Sequence, residues 1–365
     1  MTTLDPAGND PVDPAELAKL IVARHIGDVP ELAAEANLHA RLKQGGAWVL
    51  DVPDHTPAIW GSGDEVLWAA GEALMIAGGQ GTGKTTLAHQ LIRGRLGLDN
   101  SLLGFPIAPG NRRVLYLGMD RPRQAARAMR RIVTEDERAV LDEHLRIWPG
   151  PPPADIAKHP NTLVDLATEA DADTIIVDSL KDAAIGLTDD ETAASYNRAR
   201  QEAIAAGIEV LELHHNRKAS ASGARPDSVS DVYGSTWLTS GTGSVLLLLA
   251  DPGDAFVEAR HVKQPAADVG PLRIVHDHVT GRSCLDDPVD LVELAERCDG
   301  ITATDAACRL FESETPTRND IAKARRKLDR LVETGQLRRT GGGRGRGNQA
   351  AYLPVVVASG WETRS

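Results

Sequence analysis

A chain of 365 residues exceeds one typical domain and predicts a large domain with a smaller companion. Its 42% hydrophobic and 25% charged residues are ordinary for a globular protein, no apolar run is long enough to span a bilayer, and the acidic, proline-rich start resembles no secretory signal. The net charge of −12 excludes a protein that coats nucleic acid over its whole surface, but it leaves room for a local basic patch.

Residues 1–46 read as a disordered segment followed by a helical arm. Residues 1–13 are rich in turn formers, and Leu17, Leu20, Ile21, Leu32, Leu38 and Leu42 then keep helical spacing, broken at Pro30. From 47 to 284 the pattern becomes short apolar strands separated by helices. Strands are predicted at 73–77, 114–117, 174–177, 209–213 and 244–249, with helices at 84–95, 123–132 and 193–206. Near-continuous apolar strands alternating with helices predict an α/β fold, a doubly wound and mostly parallel sheet covered on both faces. The stretch 149–154 (PGPPPA) reads as a loop within that domain. Residues 285–357 then predict helix, helix, helix and two strands, with a tail at 358–365. The three cysteines, Cys284, Cys298 and Cys308, lack metal-ligand spacing and are expected to be reduced thiols in a cytoplasmic protein.

The chemistry begins at residues 78–86, between a buried-type strand and a helix. Gly78, Gly79, Gln80, Gly81, Thr82, Gly83, Lys84, Thr85 and Thr86 contain the run Gly-x-x-x-x-Gly-Lys-Thr. Glycines let backbone N–H groups curl around phosphates, and the helix N-terminus adds favourable partial charge. Lys84 is expected to reach the terminal phosphates of ATP, and the Thr85 hydroxyl to hold Mg²⁺. An acidic partner for that ion is expected at the end of another buried strand, where Ile175-Ile176-Val177-Asp178 supplies Asp178. A third strand, Val114-Leu115-Tyr116-Leu117, leads through Gly118 and Met119 to Asp120. Carboxyl ends of strands converge on the ligand crevice in a doubly wound sheet, which makes Asp120 the candidate base for the attacking water.

The order of these parts over 47–283 resembles the core of the RecA-type ATPases, and within them the RepA-like and DnaB-like hexameric helicases of plasmids, phages and mobile elements. The resemblance implies a homo-oligomeric ring, most simply a hexamer, that hydrolyses ATP with Mg²⁺ and moves on single-stranded DNA without any membrane. It implies that His215, followed by Lys218 in a His-x-x-Lys pattern, senses the terminal phosphate. It also implies that loops near the channel touch DNA, where Arg217, Lys218 and Arg225 are the available charges, and that Lys263 enters a neighbouring subunit's site. Two departures stand out. The helicases carry Lys-x-Arg at the trans-acting position, where this chain reads Lys263-Gln264-Pro265, and they usually carry Glu where this chain has Asp120.

Residues 285–357 resemble a winged helix-turn-helix domain. Thr317 and Asp320 mark a helix start, Ile321, Ala324, Leu328, Leu331 and Val332 share one face, and Gly335 stands at the helix end. Arg318, Lys323, Arg325, Arg326, Lys327 and Arg330 line that third helix, with Arg338, Arg339, Arg344 and Arg346 in the wing. Such concentration in an acidic chain points to DNA, duplex included. Two functions follow as expectations: a DNA-translocating helicase, or an ATP-gated DNA-binding switch or partner-recruiting factor with slow turnover.

Overall fold

The computed structural model describes residues 41–216, 228–250, 254, 256–286, 289–311, 313–341 and 350–355. The expected disordered start, nearly all of the helical arm, the tail, and Arg217, Lys218, Arg225, Arg344 and Arg346 lie outside the described residues. The chain divides into two compact units, Met1–His55 and Thr56–Ser365. That division falls nine residues beyond the expected start of the ATPase core at 47. In the first unit the described helix is α1, Gly45–Leu50.

The second unit opens with an antiparallel hairpin, β1 (Ala58–Ser62) and β2 (Glu65–Ala69). Trp60 and Trp68 bury their rings completely while their indole N–H groups bond the carbonyls of Leu102 (3.0 Å) and Glu72 (2.8 Å). This is the usual solution for a large ring with one polar atom. Chain order then runs β3 (Leu74–Gly78), α2 (Lys84–Arg95), the short β4 (Ser101–Leu102) and β5 (Phe105–Pro106), β6 (Arg113–Gly118), α3 (Pro122–Met129), α4 (Arg138–His144) and β7 (Leu145–Pro149). It continues through α5 (Thr162–Glu169), β8 (Ala172–Asp178), α6 (Leu180–Ala183), α7 (Asp190–Ala205), β9 (Glu209–His214), α8 (Thr236–Ser240) and β10 (Ser244–Leu249). Three further strands close the sheet: β11 (Phe256–Lys263), β12 (Leu272–His276) and β13 (Ser283–Leu285).

The central sheet has nine strands in the order β13-β12-β11-β10-β3-β9-β8-β6-β7. The six from β10 to β7 are parallel, and β11, β12 and β13 add antiparallel strands at one edge. Alternate residues of β3 divide between two cores: Met75 and Ala77 face α5 and α7, while Leu74 and Ile76 face α2 and the β1–β2 hairpin. Burying one such Leu or Ile contributes about 1.5–3 kcal/mol. The edge strand β7 was not predicted, because its half-exposed residues directly continue a helix and carry no core pattern. The five predicted strands are present: β3 is shifted by one residue to 74–78, β6, β8 and β9 are longer by one or two residues at one or both ends, and β10 has the predicted bounds.

One buried ion pair fixes α7 over β9. Arg200 Nε donates to Glu212 Oε1 at 2.8 Å and the Tyr196 hydroxyl donates to the same oxygen at 3.0 Å, all three residues being fully buried. Removing one partner of such a pair costs about 3–5 kcal/mol, since the other charge stays in the core.

Residues beyond 288 build a small module with its own core of Leu291, Ala295, Ile301, Ala306, Ala307, Ala324, Leu328, Leu337 and Tyr352. Its elements are α9 (Leu291–Arg297), β14 (Ile301–Thr302), α10 (Ala303–Leu310), α11 (Arg318–Glu333), β15 (Leu337–Thr340) and β16 (Ala351–Pro354), with sheet order β14-β16-β15. Thr317 and Asp320 form the reciprocal cap of α11, and Gly335 follows the helix with φ of 74°. No helix among the described residues is long and apolar enough to cross a membrane.

Candidate nucleotide site

Strand β3 is buried along its whole length and delivers the chain into the glycine loop. Gly81 and Gly83 take φ of 81° and 85°, the left-handed region that side chains avoid. Gly83 is the N-cap of α2, so the loop's N–H groups and the helix N-terminus share one location. The first turn of α2 contains no acidic residue that would oppose an anion.

Lys84 donates to the carbonyls of Gly78 (2.9 Å) and Gly79 (2.6 Å). Burial pushes its pKa down to about 8, with the charge of Asp178 opposing that fall and Lys181 adding to it. A desolvated ammonium held against loop carbonyls is a group that an anion would stabilise. Asp178 ends β8, and its Oδ2 accepts from the Thr85 hydroxyl at 3.0 Å and the Tyr116 hydroxyl at 2.8 Å. Burial raises its pKa, against the pull of those two bonds and of Lys84. A hydroxyl and a carboxylate in contact are hard oxygen donors and suit Mg²⁺.

Strand register brings the rest together. Gly118 of β6 pairs with Asp178, Asp178 with Leu213 of β9, and Ala77 of β3 with His214. The segments carrying Asp120, Asp178, His215 and the glycine loop therefore leave the sheet side by side. They line one cleft of 430 Å³. Asp120 is partly exposed and lies 3.5 Å from Lys181 and 3.4 Å from the guanidinium of Arg121. Burial, with the charges of Lys84 and Lys181 next, lowers the pKa of His215, so its imidazole is neutral at pH 7.

The cleft also contains residues that sequence reasoning did not single out: Tyr116, Arg131, Lys181, His276 and His278. Tyr116 lies inside an apolar strand and reads as core, although its hydroxyl emerges beside Asp178. His276 lies 194 residues from Thr82, whose carbonyl its Nε2 contacts at 3.2 Å, and no local pattern announces that contact.

The remaining predicted residues fall elsewhere. Lys263 ends β11 outside the cleft and donates to the carbonyls of Thr239 and Ser240, both at 2.9 Å. On α11, Arg318 and Arg325 are exposed, as is Arg338 on β15. Arg339 pairs with Asp329 at 3.5 Å and lies over the Tyr352 ring. The opposite face of α11 is turned to the α/β core. Lys323 pairs with Asp268 at 2.7 Å, and Arg326 reaches Glu65 at 3.5 Å and the Asp268 carbonyl at 2.9 Å. Arg330 pairs with Glu65 and stacks 4.5 Å over Phe105. Lys327 lines a cavity of 710 Å³ between this face and the core.

Residues 47–221 match the family described as "AAA domain". Among solved structures, the chain is similar to a KaiC-like protein of the hyperthermophilic archaeon Pyrococcus horikoshii, with 15% identity and a TM-score of 0.42 over 60% of this chain and 90% of that one. A search of curated proteins finds no match. The mostly parallel sheet and the glycine loop with Lys84 and Thr85 form an α/β core with a P-loop, and the matched residues 47–221 carry that loop.

Proposed function

We propose that this chain is a DNA-dependent ATPase that works as a ring-forming homo-oligomer, a translocase or helicase of replication or of a mobile element. The observation that carries the ATPase reading is the convergence of Lys84, Thr85, Asp178, Asp120 and His215 on one cleft at the carboxyl ends of adjacent parallel strands. The loop N–H groups and Lys84 bind the phosphates, and Thr85 with Asp178 holds the divalent ion. An ion held there would supply neutralisation of the charge that develops on the phosphoryl oxygens. Asp120 orients the attacking water and accepts its proton, and neutral His215 donates a hydrogen bond toward the terminal phosphate. The concentration of cations on α11 and β15 supports DNA as the partner. Lys263 acts from a neighbouring subunit, which requires it to leave the carbonyls it now contacts.

The test is steady-state ATP hydrolysis with and without single-stranded DNA, with Lys84→Ala as the blank. Stimulation of about tenfold or more that disappears in the variant supports the motor. Turnover indifferent to single strands sinks it. A second reading, an ATP-gated DNA-binding switch, gains from two observations: Lys263 is engaged within its own chain, and three cations of α11 are paired with the core. Slow turnover with nucleotide-dependent affinity for duplex DNA would establish that reading instead.

A further inference from the structure

A chain of hydrogen bonds runs from α2, across the β12–β13 hairpin, and ends inside the glycine loop. Gln90 Nε2 donates to Ser283 Oγ at 2.9 Å, and the Ser283 backbone N–H donates to Gln90 Oε1 at 3.0 Å. Ser283 Oγ lies 2.7 Å from His276 Nδ1, and His276 Nε2 lies 3.2 Å from the carbonyl oxygen of Thr82. Each direction follows from donor chemistry. A carbonyl only accepts, so His276 Nε2 carries the proton, and in the neutral ring Nδ1 then accepts from the Ser283 hydroxyl. That hydroxyl proton is available because Gln90 supplies the donor to Ser283 Oγ. A flipped Gln90 amide would set its NH₂ against the Ser283 N–H, so the amide orientation is fixed as well.

The last bond controls a specific peptide. The Thr82 carbonyl and the Gly83 N–H belong to one planar trans unit, so holding the oxygen toward His276 sends the N–H the opposite way. The imidazole is also packed onto Gly83 itself: a Cβ at that position would lie 2.1 Å from His276 Nε2. A glycine loop gains most of its anion affinity from N–H groups already aimed before the ligand arrives.

We propose that His276 is a positioning residue of the phosphate loop, bracing the Thr82–Gly83 peptide so that the Gly83 N–H is preset as a phosphate donor, with Ser283 and Gln90 fixing the tautomer that does so. The inference rests on the nucleotide reading of the cleft. The brace acts on bound phosphate irrespective of the reaction stage, so it sets affinity for ATP and ADP alike and leaves the chemical step nearly untouched.

The experiment uses the full chain and three variants, His276→Leu, His276→Gln and Ser283→Ala. It measures the Kd for Mg·ADP by calorimetry, with KM and kcat for ATP and thermal unfolding without nucleotide as a folding control. Leu removes the donor, and Kd and KM are expected to rise about tenfold with kcat within about twofold. Gln keeps an Nε2 donor at similar reach and should restore Kd to within about threefold of the parent. Ser283→Ala frees the tautomer and should give an intermediate Kd. An unchanged Kd in a folded His276→Leu protein overturns the brace, as does a loss that Gln fails to restore, because that outcome assigns the residue to packing alone. A parent protein that binds no Mg·ADP fails differently: it removes the nucleotide reading, and the brace with it.

Discussion

The glycine loop and helix α11 are both conspicuous as runs of one residue type, yet only the loop's chemistry could be read from its run. The loop acts through its own backbone. Its glycines, Lys84 and Thr85 do their work within eight consecutive residues, and its acidic partner stands at a strand end where topology must place it. A cation on α11 has no such internal reference. Its role depends on which face of the helix is covered, and the covering residues lie far off in sequence. Arg330 meets Glu65 across 265 positions, and Arg326 meets the Asp268 carbonyl across 58. A charge run states how many cations are present, and packing decides which of them remain available.

The sharpest way to separate the two regions is acid. His89, His214 and His261 are buried in the α/β core, and burial lowers each pKa to about 4 from the ordinary 6.5. Between those values the unfolded chain binds protons that the folded core refuses, so stability is lost as pH falls from 6.5 toward 4. The separation corresponds to at most roughly 3 kcal/mol per histidine. Residues 285–355 contain no histidine at all. Stability to urea, followed by the buried Trp60 and Trp68, should therefore weaken steeply over this range, while the protection of α11 amides relative to their intrinsic exchange rates changes little. If both fall together, core and module form one cooperative unit and the comparison loses its energetic basis.

Much of the fold was legible for the same reason as the loop. The central strands β3, β6, β8, β9 and β10 are near-continuous apolar runs, and only burial on both faces requires that pattern. The antiparallel edge was harder to read: β12 and β13 are short and partly exposed, so neither carries a clear period. The hairpin they form nevertheless brings His276 to the glycine loop, so one part of the site comes from the least patterned part of the sheet. Asp120 and Asp178 were visible as carboxylates ending apolar strands. Tyr116 was not, because a tyrosine in a core strand looks like packing until its hydroxyl is found 2.8 Å from Asp178.

The proposed base gives the next largest effect. Asp120→Asn removes the proton acceptor while keeping the shape, and kcat should fall about 100-fold with the Kd for Mg·ADP within about threefold. Asp120→Glu should retain activity, since it keeps a carboxylate proton acceptor at the same strand end. If Asn leaves kcat unchanged, Asp120 serves only as the partner of Lys181, and the convergence of strand ends has overstated the cleft's chemistry.

The smallest effect bears most directly on α11. Glu65 and Asp268 hold Lys323, Arg326 and Arg330 against the core through partly buried pairs, each expected to contribute only about 0–1 kcal/mol net. Phosphates would compete with those carboxylates for the same cations. Replacing both carboxylates, Glu65→Ala with Asp268→Ala, should therefore raise affinity for duplex DNA about five- to tenfold at fixed salt. It should also steepen the salt dependence by about two to three, near one unit for each released cation. ATP turnover without DNA should not change, because neither residue lines the nucleotide cleft. Affinity that stays constant would mean that DNA contacts only the exposed face carrying Arg318 and Arg325. The docked cations would then be structural, and the basic run would mark two separate surfaces rather than one.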